Sequence, residues 1–387
     1  MRKRVYLDWN ATTPLRPEAR SAMLAAFDVS GNPSSVHSEG RAARKLIEDA
    51  RAAVAAAVGG DVRNVVFTSG GTEANALALA PGLRRGNGQA VRRLIVSAIE
   101  HPSVLAGGRF PQNAIEIAPV LPSGVVDLAT LETVLADQPP ALVSVMLANN
   151  ETGAIQPIPE IAALVHEVGG LLHVDAVQAL EKMPININEL GADILTVSGH
   201  KVGGPKGTGA LIVADGLYGL QAQVRGGGQE QGRRAGTENV TGIAGFGAAV
   251  KAAMASREAN AARAKALQAR LERGLRDHPG AVIFSGNVPR LPNTTLVSAP
   301  GMKAETAVIG FDLEGIAVSS GSACSSGKVQ PSHVLRAMNA DPALITGAIR
   351  LSMGWDTTEA DIDRCLEAWR KLSGVLRNDT SIGLEQF

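Results

Sequence analysis

Between about residues 41 and 250 the chain alternates short β-branched runs with longer alanine-rich stretches, and this alternation leaves few folds open. Parallel strands need a crossover of a dozen or more residues, usually a helix, so strand and helix signals that alternate in this way predict a mainly parallel sheet covered by helices. The strand candidates are VVFT (65–68), LIVSA (94–98), LVSVML (142–147), LLHV (171–174), ILTVS (194–198) and ALIV (210–213). Residues 41–58 place Ile47, Ala50, Val54 and Val58 on one helical stripe, which reads as core. A second helical region, 251–277, carries Leu267, Leu271 and Leu275 at i, i+4 spacing and reads as a connector. Beyond it the pattern changes to isolated strands, NTTLVS (293–298) and IAVSS (316–320), then to helices after Pro331 and Thr357. The expected fold class is therefore α/β: a large domain, residues 16–255, and a smaller α+β domain made from 1–15 and 256–387. A length of 387 residues accommodates that division.

Composition removes several function classes. The formal net charge is zero, so the chain lacks the cationic surplus that nucleic-acid binders use to displace counterions. Three Trp, two Tyr and seven Phe are too few for base-stacking platforms or membrane-interface belts. No apolar run approaches the roughly 18 residues of a membrane span. Cys324 and Cys365 fit no zinc spacing and are too sparse for a disulfide scaffold, which favours a reducing cytoplasm and no metal site. The N-terminus is basic, but Asp8 and Asn10 arrive before any hydrophobic stretch, so no secretory leader is expected.

Ligands of open parallel sheets bind outside the carboxyl ends of the strands. Five successive strand candidates end in polar groups. VVFT runs into Ser69-Gly70-Gly71-Thr72 at the start of a helical stretch, where free N–H groups and the positive dipole end suit an anion. On its own this could equally be a plain strand-to-helix turn. LIVSA leads to His101, LVSVML to Asn149-Asn150, LLHV to Asp175 and Gln178, and ILTVS to Ser198, His200 and Lys201. A lone loop histidine or a pair of adjacent amides is commonly ordinary surface or turn, but five such ends on one edge make a site. Lys201, followed by Gly203, Gly204 and Pro205, sits in a rigid turn rather than on a flexible exposed stem, which suits Schiff-base chemistry. With Asp175 one crossover earlier, the pair meets the needs of pyridoxal 5'-phosphate: a lysine for the aldehyde and a carboxylate for the pyridine nitrogen. GGPKGTG lacks Walker spacing, and GGGQEQG (226–232) follows no clear strand, so nucleotide binding is set aside.

Three more features lie off that edge. Residues 225–239 combine Arg225, Arg233 and Arg234 with several glycines, a loop suited to an anion or simply a solvated basic turn. SSGSACSSGK (319–328) surrounds Cys324 with Ser, Gly and Ala, the setting of an accessible nucleophilic thiol, whereas Cys365 falls among Ile362, Leu366 and Trp369 and reads as core. Arg350 stands inside an apolar strand-like stretch, and its fork suits a substrate carboxylate.

On these residues the chain resembles the pyridoxal-phosphate-dependent cysteine desulfurases of the NifS/IscS type, within the class V aminotransferase group. The segments that carry the likeness are YLDWNATTP (6–14), GNPSSVH (31–37), FTSGGTEAN (67–75), EHPSV (100–104), ANNETGAIQPI (148–158), HVDAVQ (173–178), SGHKVGGPKG (198–207), GGGQEQGRRAGTEN (226–239) and SSGSACSSG (319–327). The resemblance implies a fold-type-I transferase in which Lys201 carries the cofactor as a Schiff base and His101 stacks on its ring. It implies that Asp175 pairs with the pyridine nitrogen and Gln178 with the ring hydroxyl. Gly71, Thr72, Ser198 and His200 would hold the phosphate, joined by Thr237 from the second subunit of a homodimer. Asn150 and Arg350 would hold the carboxylate of L-cysteine, and Asn32 would lie in a loop lining the same site. The likeness departs at Trp9, where the family more often has a polar residue or smaller ring, a change expected to affect the entrance.

The implied chemistry has Lys201 moving the α-proton of L-cysteine and the Cys324 thiolate attacking the substrate sulfur. This leaves a persulfide on Cys324 and releases L-alanine, with His101 handling protons. The sulfur would pass to an acceptor protein such as an iron–sulfur scaffold. The nearest rivals are a selenocysteine lyase or an aminotransferase on the same fold. A sulfur-trafficking scaffold without turnover is the rival from another class.

Overall fold

The computed structural model describes residues 4–321 and 331–382. Within them a seven-stranded sheet is built from β1 (Val65–Thr68), β2 (Arg93–Ser97), β3 (Ile115–Ala118), β4 (Ala141–Met146), β5 (Leu171–Asp175), β6 (Ile194–Ser198) and β7 (Gly209–Val213). Their spatial order is β1-β7-β6-β5-β4-β2-β3. The run from β6 through β5, β4 and β2 to β3 is parallel, and β7 alone runs antiparallel to both its neighbours, β1 and β6. The mainly parallel sheet predicted from the alternation is thus present. β3 was not foreseen, because an edge strand is covered on fewer sides: Glu116 and Ile117 are exposed, and IEIA carries no continuous apolar signal.

The central strands are apolar because both faces are covered. β4, β5, β6 and β7 are buried at every position. Helix α1 (Ser38–Val58) buries the expected stripe of Ile47, Ala50, Val54 and Val58, starts on a His37 cap and stops at Gly59 in a left-handed conformation. Helix α2 (Gly71–Ala78) follows β1 directly. The long helix α3 (Val240–Arg276) begins eleven residues earlier than its leucine pattern indicates, capped by the Asn239 side chain, which accepts from Gly242 N at 3.0 Å. Its first half is glycine- and alanine-rich and hides the period.

That helix touches two apolar cores. Phe246, Ala249 and Val250 belong to the core beneath the large sheet, while Leu267, Leu271 and Leu275 join Val5, Leu7, Phe311, Ile349, Leu351, Cys365 and Trp369 in a second one. The second core lies against a four-stranded antiparallel sheet in the order Val282–Ile283, Thr294–Ser298, Ile349–Ser352, Ser319–Ser320. Helix α4 (Glu359–Ile382) contributes Cys365, fully buried as expected, its thiol pushed up to about 12 by burial. The N-terminal strand Val5–Tyr6 pairs in parallel with Ile316–Ala317, and Asp8 bridges to Ser352, so the chain's first residues and its last third are joined.

Candidate active site

The carboxyl ends of β4, β5 and β6 converge on a cavity of about 310 Å³. Sheet register does the first part of the work: Met146 pairs with Asp175 and Asp175 with Thr196, so the last residues of β4 and β5 stand side by side next to Thr196, two residues short of the end of β6. Gly71, Thr72, His101, Asn150, Asp175, Gln178, Ser198, His200, Lys201 and Arg350, ten of the residues picked from sequence, line this one cavity. They come from strand ends, the turns that follow them and, for Arg350, a strand of the smaller sheet, separated by up to 279 residues, and only the fold unites them.

Asp175 is 5% exposed and its two oxygens are held separately. Oδ1 accepts from Val177 N at 3.0 Å, and Oδ2 accepts from Asn75 Nδ2 at 2.8 Å. Asn75 in turn accepts from Thr196 Oγ1 at 2.7 Å, so the buried carboxylate is held in place by a chain of hydrogen bonds. Beside it His101 caps the short helix Pro102–Leu105, with Nδ1 accepting from Ser103 N at 3.1 Å. An Nδ1 that accepts leaves the neutral ring's proton on Nε2. Burial lowers the His101 pKa, with Asp175 opposing and Lys201 and His333 reinforcing that shift.

Lys201 ends the short turn Gly199–Lys201, and its Nζ donates to Asn10 O and, at 2.9 Å, to Ala11 O. The turn is fixed behind it by Gly203, at φ +82°, where a Cβ would fall 2.5 Å from Arg16 Cγ and 2.8 Å from the Trp355 ring. His200 contacts Thr12 Oγ1 through Nδ1 at 3.2 Å, and burial, with Lys201 and Lys206 adding, drives it down to about 4. At the other end of the cavity the backbone of Gly71 opens α2, and a Cβ there would lie 3.1 Å from Val177 and 3.5 Å from Ser198. An anion at that end meets free helix N–H groups at close range. Ser69, Gly70, Glu73, Lys206 and Thr208 continue the depression outward.

Arg350 is 2% exposed, on the strand Ile349–Ser352. It donates to Asn150 O at 3.0 Å and to Asp8 Oδ1 at 2.8 Å, while its Nε has no hydrogen-bond partner among the described residues. A buried guanidinium with spare donors at a cavity wall is equipped for a carboxylate.

The remaining choices fare differently. Asn32 is exposed and its side chain accepts from Ser34 N at 2.9 Å; it is not among the lining residues, because its loop turns outward in the single chain. Thr237 is likewise exposed and outside this chain's own cavity. Trp9 does not shape the lining either: it is 4% exposed, edge-on to Trp355 at 4.7 Å, and donates to Tyr6 O at 2.9 Å. The loop 225–239 is anchored, with Glu230 clasped by Arg51 at 2.6 and 2.8 Å and Arg234 paired with Glu73 at 3.0 Å, while Arg225 and Thr237 stay exposed. Cys324 lies outside the described residues.

Sequence reasoning missed Asn10, Asn75 and Ser103, which also line the cavity. Asn75 and Asn10 stood inside conspicuous segments, but their partners lie at least 100 positions away in several cases, where local pattern carries no signal.

The arrangement can hold a planar ligand between a buried carboxylate and an imidazole, attach it through an amine, and seat an anion at each end. The chain matches the aminotransferase class-V family over residues 5–365. It is 41% identical over 380 residues to a cysteine desulfurase of Gluconacetobacter diazotrophicus, covering 96% of this chain and 94% of that protein. A cysteine desulfurase IscS of Dictyoglomus turgidum is 39% identical, with 97% and 96% covered. Among solved structures, a NifS-like protein from Rickettsia africae superposes with a TM-score of 0.86 at 39% identity, covering 96% of this chain and 99% of that one.

Proposed function

Since the chain belongs to the class-V aminotransferase family, we propose that the cavity holds pyridoxal 5'-phosphate and removes sulfur from L-cysteine. Cysteine desulfurase is the activity named for full-length relatives at about 40% identity, and it is the activity of this chain. The observation that carries the residue assignment is the gathering of Lys201, Asp175, His101, Arg350 and the first turn of α2 around one cavity. These residues fit the cofactor by their own chemistry: an amine for its aldehyde, a buried carboxylate for its pyridine nitrogen, and helix N–H groups with Gly71, Thr72, Ser198 and His200 for its phosphate.

When bound, the cofactor supplies an electron sink for the α-carbon of an amino acid. The protein does the rest. Arg350 and Asn150 take the substrate carboxylate and fix the α-carbon near Lys201, whose amine moves the α-proton. His101, kept neutral by burial, exchanges protons near the thiol. The Cys324 thiolate attacks the substrate sulfur; the new S–S bond forms as the carbon–sulfur bond breaks, and protonation of the carbon skeleton gives alanine.

The proposed assembly is a homodimer, with Thr237 of each chain reaching its partner's phosphate site. Leu24, Phe27 and Val36 are large apolar side chains left exposed on the single chain, which supports such a contact. The proposed setting is the cytoplasm, with an acceptor such as an iron–sulfur scaffold receiving the persulfide sulfur. Among the described residues no helix is long and apolar enough to cross a membrane.

The test is direct. Purified protein given pyridoxal 5'-phosphate should turn yellow, and with L-cysteine it should form alanine and a persulfide that mass spectrometry locates on Cys324. Cys324→Ser should keep the colour and form no persulfide; undiminished turnover by that variant would defeat the mechanism.

A further inference from the structure

Lys182 is a buried cation that the chemistry above does not use. It is 8% exposed, and its Nζ donates to Gln178 Oε1 at 2.8 Å and to Asn10 Oδ1 at 2.9 Å. Nζ donates in both contacts, and even as a neutral amine it has the two N–H groups they need, so both amides turn their oxygens toward it. For Gln178 this settles the rest of the side chain: Nε2 faces the other way, and one of its hydrogens goes to Asn10 O at 3.0 Å. The second N–H is then the one that an oxygen-bearing ligand in the cavity meets. For Asn10 the same constraint sends Nδ2 to Asn150 O at 3.2 Å and Thr294 Oγ1 at 2.9 Å. The Asn10 carbonyl meanwhile accepts from Lys201 Nζ.

We propose that Lys182 is a positioning residue that locks the amide of Gln178 with its nitrogen toward the cofactor and holds Asn10 as the backstop of Lys201. Without it, Gln178 could rotate and present an oxygen, which would repel the ring oxygen of the cofactor instead of donating to it. Burial, with Lys201 and Arg350 adding, lowers Lys182 to about 7, while Glu181 favours its ammonium form. Glu181 is itself shared with Arg16 at 2.9 Å, so it does not take Lys182 away from the two amides. The inference rests on the cofactor reading given above.

The experiment compares wild type, Lys182→Met, Lys182→Gln, Gln178→Leu and the Lys182→Met/Gln178→Leu double variant, each reconstituted with pyridoxal 5'-phosphate. The readouts are the pH midpoint of the visible absorbance band and the cofactor dissociation constant, with circular dichroism reporting folding. Losing a hydrogen bond to the ring oxygen favours protonation at Lys201. Lys182→Met should therefore raise the midpoint by about one pH unit and weaken cofactor binding about tenfold. Lys182→Gln keeps a donor and should stay closer to wild type than Gln178→Leu does; should Lys182→Met fail to fold, that difference between Lys182→Gln and Gln178→Leu is read in place of the cycle. In the Gln178→Leu background the Lys182 substitution should add little further shift, because the two act through one contact. An unchanged midpoint in Lys182→Met, or fully additive effects, would overturn the positioning role. A wild-type protein that stays colourless with the cofactor would instead overturn the cofactor reading.

Discussion

Asn75 and Glu100 illustrate how single side chains set the electrostatics of the cavity. Asn75 donates to Asp175 and accepts from Thr196, so Asn75→Ala leaves a buried carboxylate oxygen and a buried hydroxyl each short of a partner. The expected cost is about 1–3 kcal/mol in urea unfolding, with weaker retention of the yellow cofactor. Glu100 is fully buried next to the wall; Oε1 accepts from Met146 N at 2.7 Å and from Ser97 Oγ, while Oε2 has no partner among the described residues. Burial pushes its carboxyl up to about 8, from an ordinary value of 4.5. Between those two values the folded chain holds a proton that the unfolded chain has lost. The contribution is thus fully present below 4.5 and disappears as pH rises toward 8. Glu151, raised to about 7 by burial, acts in the same direction. Glu100→Gln should flatten the fall in urea midpoint between about pH 5 and pH 8 by an amount of order 1–3 kcal/mol, and an equally steep fall in the variant would refute this.

At the scale of elements, the turn after β6 and the helix α3 carry most of the positioning. Gly203→Ala would place a Cβ against Arg16 and Trp355 at a positive φ, so it should destabilise the protein by about 1–3 kcal/mol. It should also reduce cofactor occupancy, measured as the ratio of visible to protein absorbance, because Lys201 lies two residues away. Leu271→Ala, in the second half of α3, removes fully buried apolar volume and should cost about 2–5 kcal/mol while leaving the absorbance of the folded fraction intact. The elements that could be read from sequence are those with one dominant burial pattern: β1, β2, β4, β5, β6 and β7, apolar and almost wholly buried, and α1 with its stripe. β3 at the sheet edge and the first half of α3 escaped notice because exposure in one case, and glycine and alanine in the other, erase the periodicity. The site was legible for a related reason. Strand ends in a parallel sheet share an edge, so Lys201, Asp175, His101 and Asn150 could be grouped before any coordinates existed. Asn10 and Lys182 could not, since neither stands directly at a strand end and the pair they form spans 172 positions.

For the molecule as a whole, the dimer proposal makes a quantitative prediction. Lys201→Ala lacks the amine, and Thr237→Ala lacks a phosphate contact that belongs to the partner's site. When the two variants are unfolded and refolded together in equal amounts, each mixed dimer has one site with both groups intact and one lacking both. Activity should then rise above the mean of the separate variants toward about a quarter of the wild-type value, as expected for a two-fold assembly with shared sites. No rise on mixing, with mixed dimers confirmed by mass, would place Thr237 outside the partner's cavity.

The joining of the chain's first residues to its last third also orders events during synthesis. Asn10 N donates to Ser352 Oγ at 3.0 Å and Arg350 reaches Asp8, while the Asn10 carbonyl receives Lys201. These partners leave the ribosome in the order 8, 10, 201, 350, 352, and a nascent chain has none of the last contacts until nearly all of it has emerged. Every strand of the large sheet lies within residues 65–213, so the contacts that complete the wall behind Lys201 become available later than the sheet does. A chain truncated before Arg350 should therefore be made with its sheet and yet stay colourless when given pyridoxal 5'-phosphate.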